Sequence, residues 1–177
     1  YNPDMFWFVD DVFTISHKWL GRLHSLLKER SIKIKFECIS RSDRLNENII
    51  AMLHDMGCIR LWIGAESGSQ HVLDLMDRRV RADSTRKMIK LTKKHGIEAG
   101  TFIMLGYPGE RKEDILETAE HLKDSKPDIF LTTVAYPIKG TPFYSEVESE
   151  LITDLPWEKR TDRDLDFNLP FWYSGHT

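Results

Sequence analysis

Apolar positions along this chain switch repeatedly between two spacings. Phe6–Val9 is a short continuous apolar run, which predicts a strand buried on both faces. From Ser16 the period becomes helical, with Trp19, Leu20, Leu23, Leu26 and Leu27 on one side and Ser16 as N-cap. Lys33–Ile39 ("KIKFECI") alternates as a second strand. Asn46–Met56 is helical, with Ile49, Ile50, Leu53 and Met56 on one face and Gly57 as its stop. "CIRLWIG" predicts a third strand, and Ser84–His95 a helix stopped by Gly96. "IEAGTFIML" predicts a fourth strand. Glu113–Lys123 predicts a helix with Ile115, Leu116, Ala119 and Leu122 inward, and "IFLTTVAY" a fifth strand.

Strands that alternate with helices through short turns predict right-handed βαβ units and a parallel sheet, an α/β fold. After Pro142 the pattern changes. A short helix is predicted near Phe143–Glu150, followed by a segment mixing prolines, charges and the aromatics Trp157, Phe167, Phe171, Trp172 and Tyr173. That composition predicts an irregular tail docked on the sheet.

Composition narrows the class. The 177 residues suffice for one domain with a proper core. A formal net charge of -3 argues against a nucleic-acid surface. No apolar run has the length of a membrane span, so no membrane partner is expected. Cys38 and Cys58 are the two cysteines, with no C-x-x-C spacing. They predict core residues in a reducing, cytoplasmic setting. Histidines show no metal-ligand pairing, and no phosphate-binding glycine loop is present. The opening on Tyr1 points to an excised piece or a processed product.

Polar chemistry collects after the strands. Asp10 and Asp11 follow the first, and Ser40–Asp43, with Arg41, follow the second. Glu66, Ser67 and Ser69 follow the third among glycines. "GYPGE", with Gly106 and Glu110, follows the fourth, and Tyr136 and Pro137 end the fifth. In parallel α/β folds, ligands bind at the carboxyl ends of strands, so these loops predict one convergent site. Each residue also has an ordinary structural use. An aspartate can cap a helix, Arg41 can pair on the surface, and Gly106 can simply turn the chain. Glu66, at a strand mouth, needs a donor: it could accept ribose hydroxyls or pair with Arg41.

These signatures resemble the radical S-adenosylmethionine superfamily, nearest the branch that often carries an N-terminal cobalamin-binding domain. "FVDDVFT", "GCIRLWIGAESGSQHVLDLMDR" and "GIEAGTFIMLGYPGERKEDILETAEHLKDSKPD" running on to "YPIKGTPFY" carry the likeness by order and spacing, over about Phe6–Tyr144. The resemblance implies a partial (β/α)6 TIM barrel. It also implies S-adenosylmethionine (SAM), a four-iron four-sulfur cluster on a C-x-x-x-C-x-x-C loop, and a reductant such as ferredoxin or flavodoxin. Reductive cleavage of SAM would yield a 5′-deoxyadenosyl radical that acts on a further substrate.

That cysteine loop is not in the sequence. The expectation is therefore a truncated core with the first strand missing, residues 1–145 supplying strands two to six and 146–177 a helix and tail. Such a piece is expected to be inactive alone and to self-associate through an exposed sheet edge. By position, the resemblance places Asp10 and Asp11 on the methionine ammonium and Arg41 on its carboxylate. Glu66 and Ser67 fall on ribose or methionine polar groups. Ile103, Leu105 and Gly106 fall near adenine, and Tyr136 and Pro137 near adenine or substrate. Two rivals stand beside this reading. One is a divalent-metal TIM-barrel enzyme using Asp10, Asp11, Glu66 and Glu110. The other is a non-catalytic scaffold barrel.

Overall fold

Every strand pairs in parallel with the next one in sequence, in the order β1-β2-β3-β4-β5. The computed structural model describes residues 3–150 and Lys159; the aromatic tail residues named above lie outside them. The strands are β1 (Phe6–Phe8), β2 (Phe36–Arg41), β3 (Cys58–Glu66), β4 (Glu98–Leu105) and β5 (Ile129–Val134). Helices α1 (His17–Glu29), α2 (Glu47–Met56), α3 (Gln70–Leu75), α4 (Ala82–Lys94) and α5 (Lys112–Ser125) run between them, and α6 (Pro142–Val147) follows β5. The result is a curled, half-barrel α/β sheet, a partial TIM-like barrel, as the alternation predicted. No helix among the described residues is long and apolar enough to cross a membrane.

Local sequence accounts for the helix ends. Ser16 accepts from the Trp19 N–H and Asn46 from the Ile49 N–H, each satisfying one orphan donor. Gly57 closes α2 in the left-handed conformation at φ 99°. The core fills the outer layer, between sheet and helices. Leu20 of α1, Ile50 and Leu53 of α2 and Ile89 of α4 close over Phe36, Cys38, Leu61, Ile63 and Ala99. Each such large side chain contributes roughly 1.5–3 kcal/mol on burial. Cys38 and Cys58 belong to this core as free thiols, their sulfurs 4.0 Å apart.

The inner face is layered. Strand alternation and register place Glu37, Arg60 and Glu98 side by side at the start of β2, β3 and β4. Arg60 bonds Glu37 at 2.6 Å and Glu98 at 2.7 Å, and Trp62 Nε1 donates to the second Glu37 oxygen. This charged floor closes the amino end. Above it Trp62 stacks on Phe102, ring centroids 4.9 Å apart, over Gly100. A Cβ at Gly100 would meet the Trp62 ring at 2.5 Å, so only glycine leaves room for the indole.

Two expectations about burial are corrected. β1 is not buried on both faces: Trp7 is 59% and Val9 74% exposed, and only Phe8 packs inward, on Phe13 and Phe36. An edge strand has one neighbour, so continuous apolar character does not secure cover. In α5 the inward face is Asp114, Thr118, His121 and Ser125, while Leu116 is 58% exposed. The helix rests on the β3–α3 loop, whose backbone donors and serines need polar partners. α4 begins at Ala82, before the predicted Ser84, because Gln70 caps it from another element.

Candidate functional site

Because all strands run parallel, β1 to β5 end on one rim, and the predicted polar loops share it. The best-defined cluster there is Glu66, Arg78 and Arg41. Glu66 closes β3 in a left-handed conformation, φ 60°, where the pairing with β4 shifts register. Its side chain folds back over Gly64: a Cβ there would meet Glu66 Oε1 at 2.9 Å and Arg78 Nη2 at 3.4 Å. Arg78 Nη2 lies 3.1 Å from Glu66 Oε1. Arg41, beside Gly64 in register, donates from Nε to Asp43 at 2.8 Å and from Nη2 to the Arg78 carbonyl at 3.0 Å. So the structure pairs Glu66 with Arg78 rather than with Arg41, which stands behind as a second positive charge.

Desolvation pushes the Glu66 carboxyl above its ordinary value, and the nearby Arg78 and then Arg41 partly offset this. The cluster is thus a half-buried carboxylate with two guanidiniums. Arg78 Nε is buried and has no partner among the described residues, which leaves donor capacity unused at the rim.

The other predicted residues divide into two groups. Asp10 and Asp11 are exposed just past β1, and Tyr136 is exposed past β5. Gly106 and Pro137 are buried parts of the rim loops. Gly106, at φ 77°, donates its N–H to Glu110. Ser67 is different: its hydroxyl is fully buried, bonded to Thr118 at 3.0 Å and to the Ser69 N–H at 3.1 Å. It ties the β3–α3 loop to α5 and supports the rim from behind. Ile103 shares a strand face with the core residue Ala99, and Leu105 continues that face. The inward residues of β4 are Phe102 and Met104.

Behind the rim, Asp114 joins two loops. It accepts from Ser69 at 2.6 Å, from the Arg111 N–H at 2.8 Å and from His71 at 3.1 Å. Burial would raise its carboxyl, but those bonds hold it below the ordinary value. Glu110 is raised by burial against its Gly106 bond, and the Asp114 charge adds to the rise.

The divalent-metal alternative needed Asp10, Asp11, Glu66 and Glu110 together. Glu66 is engaged by Arg78, and Glu110 is buried against Gly106 N–H. No group of three His, Cys, Asp or Glu side chains converges among the described residues.

The family model of the radical SAM superfamily matches residues 5–122. The chain belongs to that superfamily. Within it, this radical SAM chain is 28% identical over 159 residues to an uncharacterized methyltransferase of Pyrococcus horikoshii, covering 89% of the chain and 34% of that protein. It is 33% identical over 102 residues to the tRNA-2-methylthio-N(6)-dimethylallyladenosine synthase of Sulfurihydrogenibium sp., covering 55% of the chain and 23% of that enzyme. It therefore spans about a third or less of the length of these relatives. In fold it is similar to the radical SAM methyltransferase TsrM from Kitasatospora setae, solved with cobalamin and a [4Fe-4S] cluster bound. The TM-score is 0.70 at 14% identity, over 84% of this chain and 29% of that one.

Sequence reading missed Arg78. The signal was the run "MDRRVRAD", in which several arginines compete for the same part. Only the loop geometry shows that Arg78 turns to Glu66, while Arg79 and Arg81 pair outward with Asp77 and Asp83.

Proposed function

We propose that this radical SAM chain binds S-adenosylmethionine across its rim, as the cofactor-holding part of a methyl- or methylthio-transferring enzyme. The observation that supports this is the Glu66–Arg78–Arg41 cluster. Arg78 and Arg41 present planar forks suited to the methionine carboxylate. Glu66, paired with Arg78, accepts ribose hydroxyls, and Asp10 or Asp11 takes the ammonium. Phe102 and Met104 on the inner face, with the Gly106 backbone, border the adenine. When bound, SAM supplies either the methyl group or, on one-electron reduction and C–S cleavage, methionine and a 5′-deoxyadenosyl radical.

The residues described here do not fit a cluster. The two thiols are buried in the outer layer, 4.0 Å from each other, and no third ligand converges on them. Electron delivery, and the reductant docking that goes with it, falls to other parts of the enzyme. A cobalamin domain belongs to the same proposal. It is supported by the bound cobalamin of TsrM as a structural neighbour.

Calorimetric titration with S-adenosylhomocysteine, which lacks the reactive sulfonium, tests the reading. Saturable binding by the folded chain, weakened about tenfold by Glu66→Gln or Arg78→Met, is expected. Wild-type binding unchanged in both variants would overturn it.

A further inference from the structure

Two side chains from outside hold the loop that presents Arg78: Arg41, which donates to the Arg78 carbonyl at 3.0 Å, and Gln70, which holds the half that follows. Between α3 and α4, Asp77 and Arg79 both take left-handed conformations, φ 48° and 54°, on either side of Arg78. Non-glycine residues in that region cost of order 1 kcal/mol each and persist only where their surroundings over-determine them. The first half of the loop is closed by backbone bonds to α3, Asp77 N–H to Asp74 and Arg78 N–H to Leu73, both 3.0 Å. The second half has no such ladder. Gln70 holds it instead. Its Nε2 donates to the Val80 carbonyl at 3.2 Å and to Asp74 at 2.8 Å, and its Oε1 accepts from the Ala82 N–H at 3.1 Å. The N-cap of α4, Arg81, makes no side-chain cap bond, so Gln70 supplies it from α3. One amide thus satisfies both halves of its donor–acceptor capacity on the two ends of the strained loop.

We infer that Gln70 is a positioning residue for the rim: it clamps the loop so that Arg78 reaches Glu66. This rests on the cofactor reading for its functional meaning, but not for its test. The small apolar cluster of Leu73, Val80 and Ala82 also touches this loop. It fixes distance without fixing direction, whereas the amide bonds set the orientation of Val80 C=O and hence of the residues before it.

The titration of Glu66, followed by carboxyl ¹³C NMR on the intact chain without ligand, reads the clamp directly. The charges facing Glu66 are Arg78 and Arg41. In Gln70→Leu the Glu66 carboxyl is expected to titrate higher than in the wild type, in the same direction as in Arg78→Met. Gln70→Asn, an amide too short to span the loop, is expected to match Gln70→Leu. Folding loss alone would not reproduce this site-specific shift. An unmoved Glu66 in either Gln70 variant, with a moved Glu66 in Arg78→Met, would overturn the inference. Amide exchange in the wild type gives a check that needs no variant. Ala82 N–H is expected to be protected, and fast exchange there would equally overturn it. Because no readout uses SAM or its analogue, failure here is separate from failure of S-adenosylhomocysteine binding.

Discussion

The Glu66 carboxylate and the Arg78 guanidinium meet at 3.1 Å across the carboxyl rim of the sheet, on top of a glycine that leaves them room. Arg41 lies alongside, bonded to the Arg78 backbone rather than to Glu66. Glu66 is therefore a half-buried carboxylate with two cationic neighbours. That arrangement makes the site sensitive to pH as well as to substitution.

In the proposed binding mode the ionised Glu66 carboxylate accepts the ribose hydroxyls. Its carboxyl is raised by burial, so affinity is expected to fall on acidification from above the ordinary carboxylate range. For folding the sign is opposite. A carboxyl raised in the folded state contributes stability below its unfolded pKa, and that contribution is lost as pH rises through the folded value. A Kd-versus-pH series on wild type and Glu66→Gln checks this: the acid limb should be absent from the variant.

His121 should make the fold acid-sensitive. Its ring is fully buried, and both nitrogens lack partners among the described residues. Burial, reinforced by Arg86, lowers its pKa from 6.5 to about 4. The folded ring stays neutral while the unfolded chain takes up a proton. Stability is therefore full above pH 6.5 and declines as pH falls toward about 4. The total loss is about 3 kcal/mol. Thermal melts across that window should show a shallower acid decline for His121→Leu than for wild type.

Gly68→Ala should destabilise by about 2–3 kcal/mol. The new Cβ would collide with the His121 Cβ and lie 2.6 Å from the Thr118 Cα and 2.9 Å from the Glu117 carbonyl. Two of these are backbone atoms of α5 and cannot swing aside. Denaturant unfolding should show the loss, whereas Gly21→Ala, with nothing within 4 Å, should be neutral or better.

Arg60→Met should cost about 3 kcal/mol, because it strands a buried Glu37 charge. Replacing Glu37 by Met in the same chain should recover much of that loss, since an apolar floor needs no counter-charge. Urea midpoints of the single and double variants measure the difference.

The strand–helix order was legible because each element carries its own period. Ser16, Asn46 and Gly57 mark helix ends by local chemistry alone. The rim was legible for a related reason: parallel topology puts the ends of all strands together, so Asp10, Arg41, Glu66, Gly106 and Tyr136 share one side. The exposure of Trp7 was not legible, because cover on an edge strand depends on neighbours rather than on its own residues.

What the sequence determined by itself was thus the alternation, the direction of the sheet and the side on which its polar loops gather, all consequences of short-range spacing. What only tertiary structure decided was the partner of each polar group. Ser67 went to Thr118, Glu110 to Gly106 and Glu66 to Arg78. The face of α5 was settled in the same way, by the serine loop beneath it. Periodicity reports how a residue repeats along the chain. Pairing depends on which group from a distant segment arrives within hydrogen-bond reach, and that is fixed only when the sheet curls and its loops close.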